Sequence, residues 1–246
     1  MNSSNATALQ PVDKKQIIIA LDVETADDAR SIISELKGEV GAFKIGLQLF
    51  TSAGARFVRE VVDSGINVFL DVKFHDIPNT VAKASVEVAR LGVWMFNIHA
   101  LGGSEMMRRT AAEVGNVCEK ENLERPKIIG VTILTSADQA ALGEIGFHEE
   151  INSQVLNLAK LTAECGLDGV VASPREVPAI RENITGRNFL IVTPGIRPDF
   201  ATNDDQKRVM TPGEAVFAGS DFLVIGRPVT RAENRLEAVR KILGEI

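Results

Sequence analysis

The sequence predicts an α/β protein folded as a single-domain (β/α)8 TIM barrel. Short apolar runs rich in β-branched residues recur eight times in 246 residues, with helical stretches between most of them. Such alternation requires parallel strands with right-handed crossovers, and eight units of this length match a closed barrel. An open doubly wound sheet usually carries a glycine-rich loop after its first strand, but that junction here reads ALDVETADD. We therefore expect the closed barrel.

The eight strands are predicted from apolar runs of three to six residues. They cover residues 17–21, 42–45, 68–70, 96–99, 128–133, 169–172, 189–192 and 222–225. Thr25 is predicted to cap the first helix, because Asp27 and Asp28 follow it in the acidic first turn that helices favour. Gly65 is predicted to lie at the C-terminal end of the second helix.

Composition limits the cellular location and the binding partners that we expect for the protein. Residues 16–246 are expected to form the barrel, and residues 1–15, MNSSNATALQPVDKK, a flexible polar tail without the apolar centre of a secretory signal. No apolar run approaches the roughly 20 residues that span a bilayer. The net charge of -6 and pI near 5.3 argue against a nucleic-acid surface. We expect a cytoplasmic protein that binds neither membrane nor nucleic acid.

The cysteines and histidines do not predict a metal site. Cys118 and Cys165 are isolated and are expected to be packing thiols within helices. His75 and His99 have no metal-ligand partner at a suitable spacing, so we expect structural roles for both. His148 lies in a polar region and is expected to be exposed.

The most informative stretch is DVKFHDIPNT, residues 71–80. Asp71 and Lys73 follow the buried run NVFL, and alternation along a strand places their side chains on the same face. Asp76 lies past the strand end, from where it can return to that space or reach a neighbouring subunit. Because charged side chains are rarely buried unless they are paired or used, this stretch predicts a functional site.

Further polar residues occur at the predicted C-terminal strand ends, where barrels of this kind hold their active sites. They are Asp22, Lys44, Asn97, His99, Thr135, Ser136, Arg197, Gly226 and Arg227. The last two strands thus supply two guanidinium groups and backbone amides, which is where such barrels usually bind a substrate phosphate. The pattern predicts a phosphorylated small molecule as ligand.

Each charged residue alone also has an ordinary structural interpretation. Lys44 could be a solvated rim residue, Asp22 could cap the following helix, and Arg227 could pair with a helix carboxylate. Taken together, charges of alternating sign on three consecutive strand–helix units would be costly to bury without a use. These charges belong to Asp22, Lys44, Asp71, Lys73 and Asp76.

Four segments resemble the orotidine 5'-phosphate decarboxylase family and occur in the expected order: DVKFHDIPNT, VTPGIRP, DDQKR at 204–208, and VIGRPVT. The resemblance extends from Gln16 to the C-terminus. It implies a homodimeric barrel, a carboxy-lyase that converts orotidine 5'-monophosphate to uridine 5'-monophosphate and carbon dioxide in de novo pyrimidine biosynthesis. It also implies that neither a metal nor an organic cofactor takes part.

The same resemblance implies roles for individual residues. Lys44, Asp71, Lys73 and Asp76 would form a charged tetrad, with Lys73 as the catalytic acid and Asp76 serving the site of the neighbouring subunit. Further substrate contacts are implied for Asp22 and Lys44 at the ribose, Ile77 and Thr80 across the dimer, Thr135 and Ser136 at the pyrimidine edge, and Arg197, Gln206, Gly226 and Arg227 at the phosphate. Residues 198–210 would form a lid over that phosphate.

Two alternative functions are compatible with parts of the pattern. Hexulose-phosphate synthases and keto-gulonate-phosphate decarboxylases share an Asp-x-Lys-x-x-Asp pattern but use magnesium, with an acidic ligand on strand two. This chain has Lys44 there, and an ammonium group would repel Mg²⁺. A non-catalytic nucleotide-binding module is the second alternative, but a binding module has no need of the buried ammonium group of Lys73.

Overall fold

The computed structural model describes residues 12–185, 188–200 and 210–244, which form a closed barrel of eight strands in sequence order. The strands are β1 (Ile17–Ala20), β2 (Ala42–Gly46), β3 (Val68–Phe74), β4 (Met95–His99), β5 (Lys127–Val131), β6 (Gly169–Val171), β7 (Leu190–Thr193) and β8 (Phe222–Ile225). All neighbouring strands are parallel, and β1 pairs with β8 to close the sheet. The predicted barrel is confirmed, and every strand overlaps its predicted position.

Helices follow the strands around the outside of the barrel. Within the described ranges they are α1 (Ala26–Leu36), α2 (Leu47–Asp63), α3 (Pro78–Arg90), α4 (Gly103–Glu121), α5 (Gln139–Glu144), α6 (Ile151–Glu164), α7 (Val177–Asn183), α8 (Pro212–Phe217), α9 (Arg227–Thr230) and α10 (Arg235–Gly244). Among the described residues, no helix has the length and apolarity needed to cross a membrane.

Local sequence signals set the ends of several elements. The Thr25 hydroxyl accepts a hydrogen bond from the Asp28 backbone N–H at 3.1 Å, which confirms the predicted cap of α1. Gly65, two residues beyond the end of α2, has a φ of 79°, a left-handed conformation that glycine adopts without a steric penalty. At the start of the described chain Val12 is buried, and Asp13 caps the short 3-10 turn Lys14–Gln16.

Alternation along the strands divides the core into two layers. On β1, Ile17 and Ile19 pack outward against the helices, whereas Ile18 and Ala20 point into the barrel. The interior layer is filled by side chains from seven strands: Ile18, Ala20, Ala42, Phe69, Met95, Ile129, Val192 and Val224. The barrel is therefore a packed core, and a ligand can enter only above this layer. Cys118 and Cys165 are buried and form no disulfide, as predicted for packing thiols.

One close contact between strands requires a glycine. A Cβ atom on Gly169 of β6 would lie 2.1 Å from the backbone oxygen of Leu190 on β7. Because that oxygen belongs to the neighbouring strand, it cannot move aside as a flexible side chain could. The spacing of β6 and β7 therefore depends on the absence of a side chain at this position.

Candidate active site

Strand β3 continues past the predicted end at residue 70 and includes the charged residues of DVKFHDIPNT as far as Phe74. Its pairing with β4 is irregular, because Leu70 pairs with Phe96 but Phe74 pairs with Ile98. Four residue steps on β3 thus match two on β4. Within this irregularity Lys73 has a φ of 54°, a left-handed conformation that is uncommon for a residue other than glycine.

The irregularity brings the two charged side chains of β3 together. Nζ of Lys73 lies 2.6 Å from Oδ1 of Asp71, so the ammonium and carboxylate groups share one space as predicted. The expected reason was only partly correct, because regular alternation does not hold between Leu70 and Phe74. A local break in pairing re-aims a side chain, and such breaks are common beside active sites.

Asn97 on β4 holds both residues of this pair. Its Oδ1 accepts a hydrogen bond from the Lys73 backbone N–H at 2.8 Å, and its Nδ2 donates to Oδ1 of Asp71 at 2.6 Å. The Asn97 side chain is fully buried. Sequence reasoning noted Asn97 near a strand end but assigned it no role; the available signal was an amide inside the otherwise apolar run MFNI.

Lys44 on β2 extends the charged cluster toward β1. Its Nζ lies 3.1 Å from Oδ1 of Asp22 and 3.4 Å from Oδ2 of Asp71. The side chains of Lys44 and Asp71 are only 10% and 14% exposed, whereas that of Asp22 is 55% exposed. Asp71 therefore lies between two ammonium groups in a largely desolvated position.

The charges around Lys44 and Asp71 keep these two groups ionised. Burial opposes the charged form of Lys44, but the carboxylates of Asp71 and Asp22 outweigh it and raise the Lys44 pKa above its ordinary value. Burial likewise opposes ionisation of Asp71, but Lys44, Lys73 and the hydrogen bond from Asn97 lower its pKa. Both groups are charged at neutral pH, before any ligand binds.

Two glycines leave room for the cluster at the strand ends. A Cβ atom on Gly46 would lie 2.9 Å from Nζ of Lys44 and 3.6 Å from Oδ1 of Asp22. On the other side, a Cβ atom on Gly226 would lie 3.4 Å from Oδ2 of Asp22. Asp22 thus lies between the ends of β2 and β8, where a side chain at either glycine would restrict it.

A cavity of about 340 Å³ opens at the C-terminal strand ends, within the size range of small-molecule sites. Its floor is apolar and includes Ala20, Phe69, Val131, Val171, Val192 and Val224. The structure gathers nine of the predicted site residues around it: Asp22, Lys44, Asp71, Lys73, Thr135, Ser136, Arg197, Gly226 and Arg227. The acidic and ammonium groups come from β1 to β3, and the guanidinium groups follow β7 and β8.

Three other predicted site residues that the structure describes are not part of this cavity. Asp76, Ile77 and Thr80 are exposed and do not line it, and Ile77 is 66% exposed despite its apolar side chain. Oδ1 of Asp76 accepts a hydrogen bond from the Ile77 backbone N–H at 2.6 Å. Gln206 lies outside the described residues, as does the greater part of the predicted lid at 198–210.

His75 and His99 pack against each other beside the charged cluster. Their ring centroids are 5.3 Å apart, and burial, together with the charges of His75 and Lys73, lowers the pKa of His99. No group of three or more His, Cys, Asp or Glu side chains placed to hold a metal ion occurs among the residues that the structure describes.

Comparison with known proteins identifies the family. Residues 15–242 match the model described as "Orotidine 5'-phosphate decarboxylase / HUMPS family". Relatives named orotidine 5'-phosphate decarboxylase from Syntrophotalea carbinolica and Geotalea daltonii are each 52% identical over 233 residues, which cover 95% of this chain and 95% and 96% of theirs. The crystal structure of the Lactobacillus acidophilus orotidine 5'-phosphate decarboxylase is similar with a TM-score of 0.81 and 37% identity, covering 93% of this chain and 97% of that one. The chain therefore belongs to the orotidine 5'-phosphate decarboxylase / HUMPS family.

Proposed function

We propose that this protein is an enzyme of de novo pyrimidine biosynthesis that decarboxylates orotidine 5'-monophosphate to uridine 5'-monophosphate without a metal or organic cofactor. The observation that carries the proposal is the position of the Asp71 carboxylate, 2.6 Å from Lys73 and 3.4 Å from Lys44, in the wall of a ligand-sized cavity. Family membership and the names of relatives at 52% identity support it.

The reaction needs a fixed positive charge. When the bond from C6 to the carboxylate breaks, carbon dioxide leaves and the electron pair stays on C6, in the plane of the ring, where the π system cannot delocalise it. Two unit charges about 4 Å apart interact by roughly 4 kcal/mol at an effective dielectric of 20. The ammonium group of Lys73 would stabilise this pair, donate a proton to C6, and regain a proton from solvent.

Asp71 would act on the carboxylate that departs. Its charge next to the substrate carboxylate is unfavourable before the reaction, and loss of carbon dioxide removes this repulsion. Asp71 also fixes the ammonium group of Lys73 through the 2.6 Å contact, and Lys44 compensates its charge from the other side. We assign Asp71 a positioning and electrostatic role, in a cluster that is organised before the substrate arrives.

The rest of the cavity would bind the nucleotide along its length. Asp22 and Lys44 would bind the ribose hydroxyls, and Thr135 and Ser136 the pyrimidine edge. The phosphate would lie at the ends of β7 and β8, with contacts from Arg197, Gln206, Gly226 and Arg227. A phosphate bound far from C6 can raise the reaction rate when its binding energy closes a lid over the site. We assign this lid to residues 198–210.

A homodimer with shared sites would explain the residues that face away from the cavity. Asp76 and Ile77 directly precede α3 and Thr80 lies in its first turn, and the 66% exposure of Ile77 leaves an apolar side chain in water. In a symmetric dimer the same segment can enter the site of the neighbouring subunit. Asp76 would then complete the tetrad there, and Ile77 and Thr80 would contact the ribose and base.

The two alternatives remain less well supported by the geometry. A magnesium-dependent sugar-phosphate enzyme would need acidic ligands where Nζ of Lys44 occupies the space between Asp22 and Asp71. A nucleotide-binding module would have no use for an ammonium group held at 2.6 Å from a carboxylate. We also propose a cytoplasmic location, with which the free thiols of Cys118 and Cys165 are compatible.

An ultraviolet assay tests this proposal. The purified protein is incubated with orotidine 5'-monophosphate in metal-free buffer containing a chelator, and substrate loss and uridine 5'-monophosphate formation are measured together. We expect stoichiometric conversion at a rate that the chelator does not change. A rate that disappears with the chelator and returns with Mg²⁺ would support the sugar-phosphate alternative, and ligand binding without turnover would support the binding module.

A further inference from the structure

We propose that Asn97 is a positioning residue for the reaction, because one buried amide fixes both the backbone of Lys73 and the carboxylate of Asp71. This inference rests on the proposed function. Asn97 Oδ1 lies 2.8 Å from the Lys73 backbone nitrogen, and Asn97 Nδ2 lies 2.6 Å from Oδ1 of Asp71. Nζ of Lys73 contacts the same carboxylate oxygen, so the three residues form a closed ring of contacts.

The first contact stabilises an unusual backbone. In a regular parallel pair a strand N–H donates to a backbone carbonyl of the neighbouring strand. Here the pairing between β3 and β4 shifts between Leu70 and Phe74, and the Lys73 N–H donates to the side chain of Asn97 instead. This bond holds Lys73 at a φ of 54°, and such conformations persist only when the surroundings fix them.

The second contact determines which way the amide must face. Oδ1 has to meet the backbone N–H and Nδ2 has to meet the carboxylate, since only the amide nitrogen can donate. Asn97 therefore uses its acceptor and a donor at the same time. An apolar side chain of similar size offers neither, and an ionised carboxylate offers acceptors alone and would repel Asp71.

Loss of the Asn97 side chain should lower kcat more than it lowers ligand affinity. Asn97 is fully buried beneath the charged cluster and does not line the cavity, so it acts through Lys73 and Asp71. Losing both hydrogen bonds would free the Lys73 backbone and change the position of its ammonium group relative to C6. A displacement of about 1 Å at a reacting group can lower the rate by about 100-fold.

The chain offers a matched control for loss of a buried polar side chain. Thr132 is also fully buried, and its hydroxyl donates to the Val171 backbone oxygen at 2.9 Å. Its neighbours Val131 and Ile133 line the cavity, but Thr132 does not. Thr132→Val therefore removes one buried hydrogen bond near the site without touching Lys73 or Asp71.

The experiment compares Asn97→Leu, Asn97→Asp and Thr132→Val with wild type in kcat, KM, product affinity and thermal melting. For Asn97→Leu we expect kcat to fall by about 100-fold, with affinity for uridine 5'-monophosphate within about threefold of wild type. Thr132→Val should keep kcat within about threefold of wild type. For Asn97→Asp we expect the ratio of its kcat to that of wild type to rise as pH falls, because a protonated carboxyl group again offers both a donor and an acceptor.

Three outcomes would overturn the inference. The first is a kcat of Asn97→Leu similar to that of Thr132→Val, and the second is an equal loss of kcat and product affinity in Asn97→Leu. The third is a constant ratio of kcat for Asn97→Asp across pH, which also decides the matter if Asn97→Leu fails to fold. These results require an active wild type; an inactive wild type would overturn the proposed function and the inference with it.

Discussion

Nζ of Lys44 lies 3.4 Å from Oδ2 of Asp71, while Oδ1 of the same carboxylate accepts a hydrogen bond from Lys73. One largely buried carboxylate therefore connects ammonium groups from two adjacent strands. The arrangement places two positive charges and one negative charge on β2 and β3 before the substrate binds. Removing either ammonium group should remove one contact of the Asp71 carboxylate. It should also leave the buried negative charge of Asp71 less well compensated.

Lys44→Met tests this coupling. The change removes the charge that lies between Asp22 and Asp71 but keeps an unbranched side chain of similar length. We expect kcat/KM to fall by about 100-fold or more, as for loss of a preorganised electrostatic group. The matched control is Lys127→Met, because Lys127 begins β5 at the opposite end of the barrel and packs over Trp94. Equal kcat/KM values for the two variants would contradict the role of Lys44.

Stability should depend on pH through the same two residues. The neighbouring ammonium groups lower the Asp71 pKa against the effect of burial, so its contribution is present above about pH 4 and is lost as pH falls through the folded-state pKa. The Lys44 pKa is raised by Asp71 and Asp22, again against burial, so its contribution is present below about pH 10 and is lost as pH rises through the folded-state pKa.

Urea unfolding across pH measures this dependence. The free energy of unfolding of wild type is compared with that of the double variant Lys44→Met/Asp71→Asn, which lacks both titrating groups. We expect the difference in free energy of unfolding between the two proteins to be constant from about pH 5 to pH 9. Below and above this range, wild type should lose stability relative to the double variant. A difference that stays constant at both extremes would show that the pair is not perturbed in the folded state.

Subunit mixing tests the shared site. Lys73→Ala and Asp76→Ala should each be inactive alone, because each lacks one member of the tetrad in every site. In a hybrid dimer one of the two sites would receive an intact Lys73 and an intact Asp76 from different subunits. Random exchange of equal amounts should restore roughly a quarter of wild-type activity in a two-fold symmetric dimer. No recovery, with exchange demonstrated by mass labelling, would place Asp76 outside the neighbouring site.

The fold could be predicted from sequence because its signals are local. Runs such as 17–21 and 222–225 are apolar on both faces, and the repeated strand–helix pattern leaves few topologies. The expected convergence of charged residues at the strand ends is also observed, because Asp22, Lys44, Asp71 and Lys73 line one cavity. Their roles remain predictions. A barrel brings all its C-terminal strand ends together, so topology alone made these residues neighbours.

The details of β3 could not be predicted in the same way. Its left-handed Lys73 depends on the hydrogen bond that the Lys73 backbone N–H donates to Asn97, 24 residues away, and no local pattern encodes that contact. Rules of alternation assume regular pairing, and the shift between Leu70 and Phe74 breaks it. The predicted roles of Asp76, Ile77 and Thr80 depend on a second subunit, and they remain predictions.

Gly169→Ala tests the packing of the barrel independently of its chemistry. The new methyl group would meet the Leu190 backbone oxygen at 2.1 Å, so β6 and β7 must separate. We expect the free energy of unfolding in urea to fall by about 1–3 kcal/mol, as for overpacking of a core. Gly115→Ala in α4 is the control, because no atom beyond the adjoining backbone of its own helix lies within 4 Å of its added Cβ and alanine favours helices. That variant should be slightly more stable, and equal stability of both variants would contradict the strand contact.

In the proposed mechanism Lys73 supplies both the charge and the proton at C6. The measurement is the release of labelled carbon dioxide from carboxyl-labelled orotidine 5'-monophosphate by Lys73→Ala, alongside its affinity for uridine 5'-monophosphate. We expect a kcat at least about 10⁴-fold below wild type, because both electrostatic stabilisation and acid catalysis are lost, with product affinity within about tenfold of wild type. A kcat within a few fold of wild type would contradict it.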